Sequence, residues 1–282
     1  MIWYTSVRFD YTTVGHVTAD VLSDGSRYPG GTAFYSALQA SRLGQRTLIL
    51  TRGVPSEIEE LLEPYRSELE LEIVAAEQTT TLQTSGTGLA RSQRVLAWAG
   101  AIDEDVVIDT SILHLAPVAR ETPRRWHGRA RFVGLTPQGL VRQWAGPEQQ
   151  IRPSPPDRDR IPEGCEAMVL GEAEQQSCEE LIAEFVAAGT IVAVTAAEFP
   201  TTILGPGDQL LTVEVPRLAG PGDDIGAGDV FAAAFFVALS EGMAPAEATR
   251  FAHAAAAVRM IGAGAQAIGE RSAIEARLRA LA

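Results

Sequence analysis

Apolar and polar residues follow one another along this chain in two rhythms, short β-branched runs and longer stretches with apolar residues at helical spacing. Tyr11–Val17 and Thr47–Thr51 read as strands; between them Ala33–Leu43 keeps the helical period and stops at Gly44. Glu57–Leu69 is predicted as an acidic amphipathic helix, followed by a short strand at Leu71–Val74. Further strands are predicted at Ile112–Leu115, Ala130–Leu135, Ala167–Leu170 and Ile191–Thr195, with a helix at Cys178–Ala188 between the last two. Repeated β–α–β units of this kind predict an α/β fold whose mostly parallel sheet carries helices on both faces.

Two regions, about 20–30 and 79–99, read instead as strands joined by turns. Such strands inserted into an α/β domain commonly form a lid over a site. The proline-rich stretch 147–162 reads as a surface loop within one domain spanning 1–282, because α/β signals resume directly after it. The C-terminal part is predicted helical at Gly228–Ser240, Pro245–Ile261 and Ser272–Leu281, the second helix being rich in alanine and suited to close packing.

Composition narrows the partners. The chain has 282 residues, is 46% hydrophobic and carries a net charge of -13, so a polyanion such as DNA or RNA is disfavoured. Every basic residue is an arginine, which excludes a P-loop or Schiff-base lysine. Cys165 and Cys178 belong to no metal-spaced cluster and read as reduced packing residues. The N-terminal residues lack the sections of a signal peptide, and no apolar stretch approaches the ~20 residues of a membrane span, so a cytoplasmic protein without a membrane partner is expected.

The segment richest in chemistry is Pro221–Phe231, a polar glycine turn running directly into an apolar helix. Gly226, Ala227 and Gly228 leave backbone N–H groups unobstructed at a helix N-terminus, which suits an anion such as a transferring phosphoryl group. Asp229 sits in the first turn beside that anion, where its carboxylate can take a proton from an attacking hydroxyl. Taken alone, the same residues also describe a glycine turn with an aspartate cap.

Asp223 to Asp229 resembles the DTxGAGD signature of the ribokinase-like carbohydrate kinases, the PfkB family. Gly30-Gly31-Thr32-Ala33, Ala37-Leu38 and Leu43-Gly44 resemble that family's sugar-site segment; Val14–Asp20 resembles its first strand with an acceptor-binding aspartate; Gly171–Glu174 falls at its NxxE motif. The resemblance implies a three-layer αβα domain with a small β lid, and an ATP-dependent kinase acting on a sugar, a polyol such as an inositol, or a nucleoside. It implies Asp229 as general base, an anion hole of the N–H groups of Ala227, Gly228 and Asp229 with Gly226 allowing the turn, and Glu174 holding Mg²⁺ through water. It further implies Asp20, Gly30, Gly31 and Tyr35 on the acceptor side; Thr195, Asp223 and His253 are taken as donor-side candidates, His253 reading equally as a packing residue. The family's lids frequently pair between subunits, so the resemblance allows a homodimer through the lid.

The chain departs from the family at Tyr35, where asparagine is common, at Gly171 of NxxE, at the glycine-free Val194–Phe199, and at Asp224 and Ile225. These changes keep open a second reading, a catalytically idle member that binds a sugar or nucleotide as a sensor. A nicotinamide oxidoreductase is excluded for want of a glycine fingerprint on the first βα turn, and the GxGxxA pattern at 262–267 follows a helix where a strand is required. His16 and Gln138, each at the end of a predicted strand, are added as substrate-side candidates, and Arg91 and Arg94 as lid residues able to reach phosphates.

Overall fold

The computed structural model describes residues 9–22, 24–86, 92–146, 149–207, 209–216 and 222–280. The chain runs from β1 (Phe9–Val14) through β2 (Thr18–Val21) and β3 (Arg27–Gly30) to α1 (Thr32–Arg42), β4 (Thr47–Gly53), α2 (Pro55–Leu61) and β5 (Glu70–Ala75). Then come β6 (Thr81–Ser85), β7 (Ser92–Ala97), β8 (Val107–Leu115) and β9 (His127–Leu135), with the short strands β10 (Arg142–Gln143), β11 (Gln149–Gln150) and β12 (Arg152–Pro153). β13 (Ala167–Gly171), α3 (Glu172–Ala187), β14 (Ile191–Ala196), β15 (Phe199–Gly205) and β16 (Gln209–Val213) precede α4 (Ala227–Ser240), α5 (Pro245–Ile261) and α6 (Arg271–Arg279).

Nine strands form the main sheet in the order β16-β15-β14-β13-β9-β8-β1-β4-β5. Its pairs are parallel except β14–β15 and β15–β16, which are antiparallel. Strands buried on both faces need continuous apolar runs, and β13 supplies one in Ala167-Met168-Val169-Leu170. Residues of α1, α4 and α5 pack in one core cluster with Ile58 of α2 and Ile274 of α6. Cys178, Leu181, Ile182 and Phe185 of α3 pack in a second, with Leu113, Met168 and Val192 of the sheet. Residues from β2, β3, β6, β7 and β11 make a separate five-stranded sheet in the order β11-β7-β6-β2-β3.

The predicted elements shift in places, each for a local reason. β1 ends at Val14 instead of Val17, because the chain turns there to start the small sheet at Thr18. The helix predicted to reach Leu69 stops at Leu61, and Pro64 directs the next residues into a short 3₁₀ turn. α3 starts at Glu172 instead of Cys178, with Glu172 and Glu174 in its first turn, where the helix dipole favours acids. β15 and β16 are additional to the predicted strands, and the stretch read as a loop contains β11 and β12. Arg91 lies outside the described residues; Arg94 is exposed on β7. Among the described residues no helix is long and apolar enough to cross a membrane.

Candidate active site

The carboxyl ends of β1, β8, β9, β13 and β14 point to one edge of the main sheet, the edge where ligands gather in folds of this kind. Two helices begin beside that edge. Gly31 takes φ 92 as the N-cap of α1, and Gly226 takes φ 75 as the N-cap of α4, backbone states that residues with a Cβ rarely adopt. A Cβ on Gly226 would also overlap the Tyr35 ring, and one on Gly31 would overlap the carbonyl of His16. The two helix starts are joined at Asp229. The Thr32 hydroxyl donates to the Asp229 carboxylate, and one turn on, Ser36 Oγ donates to the Asp229 carbonyl at 3.1 Å.

Asp229 is half-buried, and its pKa is raised to about 6. Desolvation is the main cause; the Thr32 hydrogen bond and the charge of Arg142 pull the other way, while the charges of Asp20 and Glu174 add to the rise. A carboxylate poised near neutrality, beside backbone N–H groups at a helix start, can accept a proton while those N–H groups hold an anion. The N–H set is smaller than expected: Ala227 donates to the Asp224 carbonyl at 3.2 Å within the turn. Gly228 and Asp229 keep N–H groups without a protein acceptor among the described residues, and space is open where a Gly228 Cβ would stand.

On the acceptor side, Asp20 lies on β2 and accepts a bond from Thr18 Oγ1 at 2.7 Å. A Cβ on Gly30 would overlap the Asp20 carboxylate, so the first glycine of the pair leaves room for that acid. Tyr35 is nearly buried between Gly226 and the guanidinium of Arg259, whose carbon stands 5.9 Å from the ring centroid. Burial raises the Tyr35 pKa, so the phenol stays neutral. Gln138 sits half-buried in the 3₁₀ turn Pro137–Val141 that follows β9.

His16 lies away from any open surface. It is 0% exposed, its Nδ1 is 2.7 Å from Thr80 Oγ1, and its backbone N–H donates to Glu121 Oε1 at 2.8 Å. Thr80 Oγ1 also accepts the Ala99 N–H at 2.9 Å, so His16 fastens the two ends of the β6–β7 hairpin to the end of β1. Burial lowers its pKa and keeps the ring neutral. Glu121, for which the sequence offered no signal, accepts the N–H groups of His16, Val118 and Ala119 and so knits together the loops after β1 and β8.

The donor-side residues divide. Thr195 is the penultimate residue of β14, half-buried, with its hydroxyl 3.3 Å from the Leu170 carbonyl. The Asp223 carboxylate is engaged within the protein, by Ile225 N–H at 3.1 Å, Gly264 N–H at 3.0 Å and Arg259 Nη2 at 3.0 Å. It therefore braces the glycine turn against the end of α5. His253 faces the core: its Nε2 is 3.0 Å from Thr201 Oγ1 and its ring packs edge-on to Phe231. Burial lowers its pKa to about 4, and it is a packing residue.

Glu174 stands in the first turn of α3, where Oε2 accepts the Gly171 N–H at 2.9 Å. Its other oxygen has no partner among the described residues. Among those residues, no group of three or more His, Cys, Asp or Glu side chains could enclose a metal. One carboxylate oxygen still fits Mg²⁺, which is bound in kinases by one or two carboxylates, waters and substrate phosphates. Arg142, another residue the sequence did not single out, adds a positive charge that acts on Asp229.

Part of the sequence and the whole fold are similar to known proteins. Residues 165–271 match the pfkB family carbohydrate kinase profile. A pyrophosphate-dependent kinase in the ribokinase family, solved as a sulfate complex, superposes with TM-score 0.75 at 21% identity over 94% of this chain and 99% of that one. Arabidopsis thaliana ribokinase, complexed with ribose and ATP, superposes with TM-score 0.71 at 17% identity, covering 97% and 99%. The nucleoside kinase of Methanocaldococcus jannaschii gives TM-score 0.68 at 15% identity, covering 97% and 99%. Over residues 165–271 the chain is thus similar to the pfkB family carbohydrate kinases, and over nearly its whole length it has the fold of the ribokinase-family structures.

Proposed function

We propose that the chain is a kinase that transfers the γ-phosphoryl group of ATP to a hydroxyl of a sugar, a polyol such as an inositol, or a nucleoside. The observation that carries this reading is Asp229, a carboxylate with its pKa raised to about 6 beside the unpartnered N–H groups of Gly228 and Asp229. Asp20 and Gly31 hold acceptor hydroxyls. Asp229 takes the proton of one hydroxyl as its oxygen bonds to phosphorus, the bond from phosphorus to the bridging oxygen breaks, and its electron pair leaves with ADP. The N–H groups of Gly228 and Asp229 hold the transferring oxygens. When bound beside Glu174, Mg²⁺ would neutralise charge on the donor phosphates. The small sheet acts as the lid, excluding water that would otherwise compete as acceptor.

One feature favours a second donor. β14 passes into β15 through a tight turn, with Ala196 paired to Phe199 and Ala197 at φ 49, which leaves little backbone to wrap a base. Pyrophosphate, the donor of a kinase with this fold, presents no base to house. The test is a turnover screen with Mg²⁺, ATP or pyrophosphate as donor, and pentoses, hexoses, inositols and nucleosides as acceptors. Acceptor-dependent consumption of ATP is the expected result. Consumption of pyrophosphate alone reassigns the donor, and ligand binding without turnover of either supports the sensor reading.

Within this reading, Gly30→Ala is expected to raise the acceptor KM at least about tenfold, since a lost charged hydrogen bond is worth about 1.5–3 kcal/mol. The new Cβ would push the Asp20 carboxylate from its place, while the donor KM should change little. Initial rates against both substrates check this, and an unchanged acceptor KM removes Asp20 from the acceptor site.

A further inference from the structure

The N–H groups of Gly228 and Asp229 are neutral donors, and a phosphoryl group in transfer carries more negative charge than two such dipoles balance. With no lysine in the chain, a protein cation for that task must be an arginine. Arg142, the first residue of β10, lies just beyond the carboxyl end of β9. Its Nη1 donates to the Val118 carbonyl at 3.0 Å, and among the described residues it makes no ion pair and no other hydrogen bond. Yet four carboxylates act on it, those of Glu174, Asp229, Glu121 and Asp20. These include the proposed base, the proposed magnesium residue and the proposed acceptor residue.

That pattern differs from the other arginine near the glycine turn. Arg259 closes on a carboxylate, with Nη2 3.0 Å from Asp223 Oδ2, and spends further N–H groups on the carbonyls of Asp223, Ile225 and Gly262. Arg142 is half-buried, with burial lowering its pKa, and still closes on no acid. A desolvated guanidinium with unspent donors is costly unless something else satisfies it. Its planar fork matches the oxygens of a phosphoryl group.

We propose that Arg142 contacts the phosphoryl group during its transfer, supplying the positive charge that complements the N–H groups of Gly228 and Asp229; this rests on the kinase reading above. The segment carrying Arg142 also belongs to the lid. β10 pairs with β12, Gln149 and Gln150 of β11 pair with Val95 and Arg94 of β7, and Ile151 N–H donates to the Gln93 carbonyl at 2.8 Å. Trp144 packs edge-on to Trp98 at 6.0 Å between ring centroids, at the root of the same hairpin. Movement of the lid and placement of Arg142 are thus mechanically joined, so that charge is completed as water is excluded.

The test compares wild type, Arg142→Met and Arg142→Lys under the donor and acceptor found by the screen. Methionine is expected to lower kcat by about 10³-fold, the lower end of what an arginine adds to phosphoryl transfer. Lysine, with its charge but without the fork, should lose less. Because the Arg142 charge lowers the Asp229 pKa, methionine should also move the acid limb of the kcat/KM profile to higher pH, whereas lysine leaves it in place. A kcat within threefold of wild type, or a fall in kcat with an unmoved acid limb in a normally folded variant, overturns the proposal. If wild type turns over no substrate, the kinase reading fails by itself. Arg142 is then judged by calorimetric titration with inorganic pyrophosphate: at least tenfold weaker binding by the methionine variant supports an anion contact, and equal binding overturns it.

Discussion

Asp229→Asn is expected to lower kcat by about 10²–10⁴-fold, the usual contribution of a general base, while making the folded protein more stable at neutral pH. Both effects come from one environment. The native carboxyl titrates at about 6 against an ordinary value of 3.8, mainly because it is desolvated. Between those two values the native protein holds a proton that the unfolded chain has released. Stability contributed by this group therefore falls as pH rises through that window and stays low above it. A shift of this size corresponds to about 2–3 kcal/mol, part of which asparagine regains by removing the buried charge. Asparagine also weakens the bond from Thr32, so a net gain of about 1–2 kcal/mol at pH 7 is expected, vanishing below pH 4. Wild-type kcat/KM should decline as pH falls through about 6, the protonation of the base. Chemical denaturation at pH 4 and pH 7, with rates for both proteins, checks these points. Equal turnover in the two would remove Asp229 from the reaction.

Arg259→Met is expected to cost about 3–5 kcal/mol, the penalty for breaking a buried ion pair by deleting one partner. The Arg259 side chain is fully buried and donates to Asp223 Oδ2, to the Ile225 carbonyl at 2.7 Å and to the Gly262 carbonyl at 3.2 Å. Its loss leaves the Asp223 carboxylate with only the Ile225 and Gly264 N–H groups and strands several carbonyls at the junction of the glycine turn with α5. It also removes the cation lying against Tyr35, whose ring supports Gly226. The variant should therefore lose activity along with stability, through a loosened anion site. Adding Asp223→Asn to Arg259→Met should recover part of the stability, because the stranded charge is gone. Denaturant midpoints for the single and double variants test the coupling, and strict additivity would mean that the pair does not hold the turn.

Much of the fold was legible because its signals are local. Helix ends just before Gly44 and at Ile261, the buried run of β13 and the glycine turn before α4 each depend on a few neighbouring residues. The β15–β16 hairpin had a signal as well: Gly205-Pro206-Gly207 is turn-forming, and Gly207 takes φ 72. Other features had none. Thr32, Arg142 and Arg259, and Glu121 in its bond to His16, depend on partners far along the chain, and nothing beside them in sequence marks those partners.

By itself, then, the sequence determined the alternation of strand and helix, the absence of lysine, and a helix start with Asp229 in its first turn. These follow from backbone geometry and composition within short windows. Only the tertiary structure decided what surrounds Asp229: Thr32 donating to it, Arg142 acting on its charge, and the Ala227 N–H turned to the Asp224 carbonyl. It alone gave His16, Asp223 and His253 their internal partners. The physical reason is the same in each case. Burial, desolvation and a donor's choice of acceptor depend on which elements pack together, and the parallel sheet brings together elements that are remote in sequence.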